Sequence, residues 1–147
     1  MSARNIPTLF EVHNLFIKEL GEVQAKWACG QAALESNWFT SRLAVEAKNL
    51  WGIKATPSWK GAVWSGRTHE FERGQRKTIT AGFRAYPTLQ SGIHDYLSLT
   101  DRLYGSPLRQ SSVTTFLNSL QGKWATDPHY SAKVLQTIHA VSKIIDG

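Results

Sequence analysis

Apolar positions recur with helical spacing in the first third of the chain. Thr8 and Glu11 form a capping-box pattern before a short amphipathic segment, which predicts a first helix that Gly21 ends. The Ala-rich segment 22–35 predicts a second helix, and a shorter one is expected over 41–47. Helices therefore dominate this end of the chain.

The helical pattern returns in the last third. Thr88 is the predicted N-cap of a helix that runs to Gly105, and another helix fits 112–120. For the last helix we expect Asp127 as the cap and Pro128 in the first helical position.

Residues between these helices follow a strand pattern. The runs 62–72 and 75–84 flank Arg73-Gly74, as the strands of a β-hairpin flank their turn. On the first strand Trp64, Thr68 and Glu70 share one face. The other face carries Val63, Arg67, His69 and Phe71. Large aliphatic residues are few, so we expect a small lobe against a helical body. The pattern predicts a mostly α, α+β fold.

The chain of 147 residues has the size of one compact domain, and we expect a single domain over 1–147. Its six tryptophans exceed the usual need of a small core, and such flat apolar faces are surfaces on which sugar rings stack. We expect about half of them to be core residues, since small cores take up aromatic rings. The tryptophans are Trp27, Trp38, Trp51, Trp59, Trp64 and Trp124.

Seventeen Lys and Arg against eleven Asp and Glu give a net charge of +6. This favours a polyanionic partner such as nucleic acid, an anionic membrane surface or a cell-wall polymer, with a merely solvated basic face as the alternative. Residues 1–20 contain no signal-peptide apolar region and no spanning helix. Cys29 is the single cysteine and is expected to be a buried thiol.

Several kinds of catalytic site are not indicated by the residue patterns. The histidines and Cys29 lack zinc-ligand spacings, and neither a Gly-x-Ser-x-Gly motif nor a phosphate-binding Gly-rich loop occurs. We therefore predict no metal and no cofactor. Carboxylates accompanied by aromatic residues remain, and this combination is typical of glycosidases.

Glu35 is the carboxylate best placed for such chemistry. It continues a helical stripe with Trp27, Ala28 and Gln31 and lies close to Trp38. Partial desolvation would raise its pKa and let it deliver a proton near neutral pH. The alternative is a helix-terminal Glu whose carboxylate reaches water.

Five ordered motifs over about residues 22–145 resemble the family 73 glycoside hydrolases, which are bacterial and phage N-acetylglucosaminidases that cleave peptidoglycan. The motifs are Ala32-Ala33-Leu34-Glu35-Ser36-Asn37-Trp38, Asn49-Leu50-Trp51-Gly52-Ile53-Lys54, Thr68-His69-Glu70-Phe71-Glu72-Arg73-Gly74, Phe83-Arg84-Ala85-Tyr86 and Ala125-Thr126-Asp127-Pro128-His129-Tyr130. The resemblance implies a lysozyme-like fold in which a glycan groove separates a helical lobe from a small mobile β-hairpin lobe.

The resemblance also implies roles for individual residues. Glu35 matches the family's general acid, Glu70 its proposed second carboxylate, and Tyr130 an aromatic hydroxyl near the reaction centre. Trp51 stands where relatives often have Phe, and Trp124 where they often have Tyr, which keeps an aromatic platform at each position. The expected substrate-binding residues are Trp38, Asn49, Trp51, Trp64 and Trp124.

Each of these roles has a structural alternative. Tyr130 could be a core aromatic of the last helix, and Trp38 could simply pack the helix end. The segment 49–54 could be a turn that supports the groove, and Glu70 could belong to an exposed hairpin face.

The implied activity is cleavage of the β-1,4 bond between N-acetylglucosamine and N-acetylmuramic acid. Either Glu70 activates water, or the substrate's own 2-acetamido group attacks. A lytic transglycosylase and a non-catalytic glycan- or nucleic-acid-binding domain remain alternatives.

Peptidoglycan strands and an anionic cell-wall or outer-membrane surface are the expected partners, with no nucleic acid, and we expect a monomer. A phage endolysin, made in the cytoplasm and acting on the wall after release, is preferred to a tail-associated enzyme or a secreted effector.

Overall fold

The computed structural model describes residues 6–147, with residues 68–72 described by their backbone alone. Six helices make up about half of the described chain: α1 (Leu9–Glu19), α2 (Glu22–Glu35), α3 (Arg42–Ala47), α4 (Leu89–Leu103), α5 (Val113–Leu120) and α6 (Tyr130–Asp146). Two antiparallel strands, β1 (Val63–Glu72) and β2 (Gln75–Arg84), lie between α3 and α4, and a 3₁₀ turn spans Pro107–Arg109. The predicted mostly α, α+β fold with a small β-hairpin lobe is confirmed.

Hydroxyl side chains fix the starts of three helices, because they accept hydrogen bonds from backbone N–H groups that have no partner within the helix. The hydroxyl of Thr8 accepts from the backbone N–H of Glu11 at 3.1 Å, and Ser41 does the same at the start of α3. Thr88 and Ser91 exchange reciprocal bonds at the start of α4, which confirms the predicted cap.

α2 is the central helix, and both its Ala-rich face and Gln31 are buried. It packs chiefly on α6 and also on α1. Gly30 permits the close approach to α6, because a Cβ at this position would lie 2.9 Å from the backbone Cα of Ile138. This spacing brings the end of α2 close to the start of α6.

α1 ends directly before Gly21, as predicted, with Leu20 as its extended C-cap, and Gly21 has φ −74 and is also the N-cap of α2. The predicted start of the last helix is wrong. α6 begins at Tyr130, two residues after Pro128. The carboxylate of Asp127 accepts from the backbone N–H of His129 at 2.9 Å, so it closes a turn before the helix, as Asp side chains commonly do.

The β-hairpin has the predicted turn, since Arg73 and Gly74 both have positive φ values, 52 and 77. Its two strands pair in continuous register from Glu72 opposite Gln75 to Val63 opposite Arg84. Backbone bonds from Ala55 to Gly82 and from Arg84 to Ile53, both at 3.0 Å, attach the hairpin to the segment after α3. The hairpin is thus a small lobe joined to the helical body at its base.

Across residues 6–147, each helix is too short or too polar to cross a bilayer.

Candidate active site

Glu35 occupies the last position of α2, where the helix stops abruptly. The hydroxyl of Ser36 donates to the carbonyl of Ala32 at 2.6 Å and accepts from the backbone N–H of Phe39 at 2.8 Å. Between them the backbone turns left-handed, with φ values of 51, 54 and 68 at Asn37, Trp38 and Phe39. Three consecutive non-Gly residues in this region are uncommon, and such segments cluster at functional sites.

The carboxylate of Glu35 is half-buried and hydrogen-bonded. The hydroxyl of Tyr130 donates to Oε1 of Glu35 at 2.8 Å. Burial raises the pKa of Glu35, and side-chain hydrogen bonds from Tyr130 and Trp124 partly oppose that rise. A carboxyl group with this balance keeps its proton at higher pH than an exposed Glu, which is the property a general acid needs.

A chain of buried hydrogen bonds continues behind Tyr130. The amide nitrogen of Gln31 donates to the hydroxyl of Tyr130 at 3.1 Å, and the hydroxyl of Tyr96 donates to the amide oxygen of Gln31. Gln31 and Tyr96 are both 0% exposed. Burial raises the pKa values of both Tyr96 and Tyr130, so each phenol keeps its proton.

Glu35 opens onto a groove of about 950 Å³ between the helical body and the base of the hairpin. Trp64 and Gly66 of β1 line it from the hairpin, and Tyr104 and Trp124 line it from the helical side. Basic side chains also contribute to its walls: Arg42, Lys54, Arg67 and Arg84. The groove joins a proton donor, aromatic surfaces and positive charge.

Arg84 supports the groove from below, a role that sequence analysis missed. Its guanidinium forms a salt bridge of 3.0 Å with Asp95 of α4, and its Nε donates to the carbonyl of Lys54 at 3.2 Å. It also lies 4.7 Å from the ring centroid of Trp59. These contacts tie β2 to α4, and no sequence spacing indicated the pairing.

Of the predicted substrate-binding residues, Trp64 and Trp124 lie where they can contact a glycan. Trp64 is half-buried, and its indole N–H donates to Glu46 at 3.2 Å, which fixes the ring on the groove wall. Trp124 packs on Tyr104 with ring centroids 5.2 Å apart. Their contact with substrate stays a prediction.

Asn49 belongs to the lining of the groove, but the backbone engages both ends of its amide, and its substrate contact stays a prediction. Its nitrogen donates to the carbonyls of Ile53 and Arg84, and its oxygen accepts from the backbone N–H groups of Trp51 and Ile53. The side chain is 1% exposed. Asn49 therefore shapes the loop beneath the groove, which was the alternative interpretation.

Trp51 is a core residue that also belongs to the lining of the groove, and its contact with substrate stays a prediction. The ring is 2% exposed and stacks on Tyr96 with centroids 4.5 Å apart. Phe16 packs edge-on against both rings. Trp51 therefore supports the groove floor from within the core.

Trp38 and Glu70 are two further predicted site residues. Trp38 is 39% exposed on the left-handed turn after α2, and it is not among the residues that line the groove. Its contact with substrate stays a prediction. Glu70 pairs with Lys77 through the β-ladder, but its side chain lies outside the described residues. Its catalytic role stays a prediction.

Comparison with known proteins identifies the family. Residues 16–143 match the glucosaminidase family, described as mannosyl-glycoprotein endo-beta-N-acetylglucosaminidase. The chain belongs to the glucosaminidase family. The resemblance to family 73 glycoside hydrolases is thereby confirmed.

Relatives of this glucosaminidase-family chain include peptidoglycan hydrolases. It is 37% identical to the peptidoglycan hydrolase FlgJ of Escherichia coli, with 79% of this chain and 39% of the relative covered. It is 34% identical to the exo-glucosaminidase LytG of Bacillus subtilis, with 83% and 45% covered. The chain thus spans less than half the length of these relatives.

A solved structure of similar fold is that of a peptidoglycan hydrolase mutant from Sphingomonas sp. A1. The TM-score is 0.79 at 31% sequence identity, and the match covers 91% of this chain and 94% of the other. The arrangement of helices and hairpin is therefore shared with a peptidoglycan hydrolase along nearly the whole chain.

Proposed function

We propose that this chain hydrolyses peptidoglycan at the β-1,4 bond on the reducing side of N-acetylglucosamine. The observation that carries the proposal is the half-buried carboxyl of Glu35, which opens onto an aromatic-lined groove and has a raised pKa. The names of the relatives support the same substrate class.

Glu35 acts as the general acid. Its proton passes to the glycosidic oxygen as the bond from that oxygen to the anomeric carbon breaks, and water supplies the hydroxyl group that the anomeric carbon gains. Tyr130 and Trp124 then stabilise the resulting carboxylate, since both donate hydrogen bonds to Glu35.

The second half of the reaction has two versions. Glu70 can take the proton from the attacking water, which gives inversion and needs a carboxyl separation of about 6.5–9.5 Å. Alternatively, the 2-acetamido oxygen of the substrate attacks the anomeric carbon, and Glu70 orients that group. The first version assigns Glu70 to catalysis directly, and the second assigns it to positioning.

The net charge of +6 supports a second element of the proposal, attraction to an anionic cell-wall or outer-membrane surface. A monomeric state, a phage endolysin origin and action on the wall after release from the cytoplasm stay predictions.

The decisive experiment is digestion of purified peptidoglycan, followed by borohydride reduction and mass analysis of the fragments. Reduced N-acetylglucosamine at the new ends would support the proposed bond. Reduced N-acetylmuramic acid would mean a muramidase, and an anhydro-sugar would mean a lytic transglycosylase. Glycan binding without any new ends would identify a binding domain.

The size of the early fragments separates internal cleavage from stepwise removal of terminal sugars. We expect long fragments and a rapid fall in turbidity, as internal cleavage produces. Release of single sugars from an otherwise intact polymer would instead indicate an exo-acting enzyme. Glu35→Gln protein, purified in parallel, controls for contaminating hydrolases.

A further inference from the structure

Gln31 is a polar side chain in the most apolar part of the molecule. It lies one helical turn before Glu35 on α2, it is 0% exposed, and both ends of its amide are hydrogen-bonded. Buried polar groups are costly unless they are paired, so an amide at this position has to be accommodated by its neighbours. Its two partners belong to two other helices: Tyr96 to α4 and Tyr130 to α6.

The direction of these hydrogen bonds is fixed from the inside outward. The Tyr96 hydroxyl lies in the apolar core and donates a hydrogen bond to the amide oxygen of Gln31. That bond orients the amide so that its nitrogen points at Tyr130, because an amide has its acceptor and its donors on opposite sides. The hydroxyl of Tyr130 therefore receives a hydrogen bond from Gln31 and directs its own proton to Oε1 of Glu35.

The hydrogen bond that Tyr130 donates affects which oxygen of Glu35 holds the carboxyl proton. In a protonated carboxyl group the carbonyl oxygen is the better acceptor, so the hydrogen bond from Tyr130 to Oε1 favours the transferable proton on Oε2. Without Gln31 the Tyr130 hydroxyl could rotate or accept a hydrogen bond from Glu35 instead. The carboxyl proton would then have two alternative positions, only one of which is free for transfer.

We infer that Gln31 is a positioning residue of the reaction, which fixes the Tyr130 hydroxyl as a donor and thereby holds the proton of Glu35 on Oε2. The inference rests on the proposed function, in which Glu35 is the general acid. Gln31 contacts Glu35 through Tyr130 and is the second member of a chain that runs Tyr96, Gln31, Tyr130, Glu35.

Other groups around Glu35 act on its titration, and all of them except the Tyr96 hydroxyl are common to the variants below. Tyr96 and Tyr130 face it from α4 and α6, and Trp124 donates to it from the loop before α6. The groove walls contribute the cationic side chains of Arg42, Lys54, Arg67 and Arg84. Gln31→Met keeps all of these groups, and the double variant changes Tyr96 alone among them.

The test compares Gln31→Met with the double variant Gln31→Met/Tyr96→Phe. Met fills the space of Gln but neither donates nor accepts effectively, and the single variant leaves the buried Tyr96 hydroxyl without its partner. The double variant removes that hydroxyl as well, so it separates loss of positioning from loss of folding. Gln24→Met is the matched control, because Gln24 lies on the same helix and bonds only to the backbone of Gln110.

Two quantities are measured for each protein: initial rates on soluble peptidoglycan fragments across pH, and the titration of the Glu35 carboxyl carbon by NMR. We expect both Gln31 variants to lose about 10- to 100-fold in kcat with little change in KM, as misplacement of a catalytic group does. We also expect the Glu35 titration to move to higher pH, because a weaker bond from Tyr130 stabilises the carboxylate less. Gln24→Met should match the wild type in both.

A double variant with wild-type kcat and an unshifted Glu35 titration would overturn the inference, and Gln31 would then serve only to satisfy the Tyr96 hydroxyl. Failure of the proposed function is a separate result: the wild type would cleave no peptidoglycan at all. In that case the NMR titration still decides whether Gln31 controls Glu35 through Tyr130.

Discussion

The Tyr130 hydroxyl donates a hydrogen bond to Oε1 of Glu35 at 2.8 Å, which joins the first residue of α6 to the last residue of α2. The two residues are 95 positions apart in the chain. Their contact depends on the close packing of α2 on α6, in which Gly30 lies directly against Ile138. The geometry of the proposed acid is therefore set by helix packing.

Replacement of Glu35 by Gln should abolish most of the activity and leave the fold intact. The amide has nearly the shape of the carboxyl and can still accept from Tyr130, but it cannot deliver a proton. General acid catalysis contributes about 100- to 10,000-fold, and we expect a loss of at least that order in wall lysis. The rate at which a suspension of purified peptidoglycan loses turbidity measures this activity. Glu22→Gln, at the exposed start of the same helix, is the control, and near-normal lysis by Glu35→Gln would contradict the assignment.

The raised pKa of Glu35 also predicts a pH-dependent stability. Burial raises the pKa above its ordinary value of 4.5, so the folded protein holds the proton more tightly than the unfolded chain does. The resulting stabilisation is complete below the ordinary pKa and is lost as pH rises through the folded pKa. Glu35→Gln lacks this titration.

The Tm of Glu35→Gln minus that of the wild type should therefore increase from about pH 4 to neutral pH, where the wild type carries a partly buried charge. Thermal unfolding at a series of pH values measures the difference. Glu22→Gln controls for the removal of one negative charge. A difference that stays constant over this pH range would mean that burial does not shift the titration of Glu35.

Gly30→Ala should destabilise the protein and lower its activity together. The added Cβ would lie 2.9 Å from the backbone Cα of Ile138, which α6 can relieve only by moving away from α2. Overpacking of this kind costs about 1–3 kcal/mol, and a displacement of about 1 Å at the site can cost about 100-fold in rate. Thermal unfolding and initial rates measure the two effects.

Gly21→Ala is the matched control for Gly30→Ala. Its φ of −74 suits any residue, and the nearest atom to the added Cβ, at 3.1 Å, belongs to the flexible Gln24 side chain. It should leave the rate at wild-type level with at most a small loss of Tm. If Gly30→Ala behaved in the same way, the spacing between α2 and α6 would not control the Glu35 site.

Local patterns predicted much of this architecture, and long-range contacts account for most of what was missed. The caps at Thr8, Ser41 and Thr88 depend on neighbours three residues away, so sequence spacing could indicate them. The Arg73-Gly74 turn is equally local. Asp127 also forms a local bond, but two geometries suit an Asp before a Pro, and the structure adopts the turn that delays α6 to Tyr130.

The candidate site was predicted less completely, because its residues meet through tertiary packing. Glu35 and Tyr130 were selected through motif resemblance, whereas the bond between them depends on how α2 packs against α6. Trp51 and Asn49 were assigned to substrate through the same motif resemblance. Their burial follows from contacts with Tyr96 and Arg84, which no local pattern reveals. The sequence did contain a signal for the role of Gln31, since it is an amide on the otherwise apolar helical stripe that leads to Glu35.

Salt should weaken attachment to the cell wall much more than it weakens cleavage of a small neutral substrate. Exposed charges are screened beyond about 10 Å at 0.1 M salt, so an excess of six positive charges loses its attraction to an anionic polymer as salt rises. Cosedimentation with walls measures binding, and initial rates on a chito-oligosaccharide measure cleavage. Equal salt sensitivity of the two would indicate that salt acts on the site or on the fold.

The two versions of the mechanism differ in what Glu70 does. If Glu70 takes the proton from water, early products observed by NMR should have the inverted anomeric configuration. Glu70→Ala should then lose activity severely, and azide should restore part of it because a small anion can occupy the vacated space. If the acetamido oxygen attacks instead, early products should retain their configuration and a thiazoline analogue should inhibit. Glu70→Ala would then be milder.

Glu72→Ala is the matched control for Glu70→Ala, because it removes the same charge from the same strand. A loss specific to Glu70 would indicate a role at the anomeric carbon, whereas equal losses would indicate a general effect of negative charge on the hairpin. An inverting enzyme that stays almost fully active as Glu70→Ala would rule out both versions. Another residue would then have to activate the water, since inversion requires a base on the face of the sugar opposite Glu35.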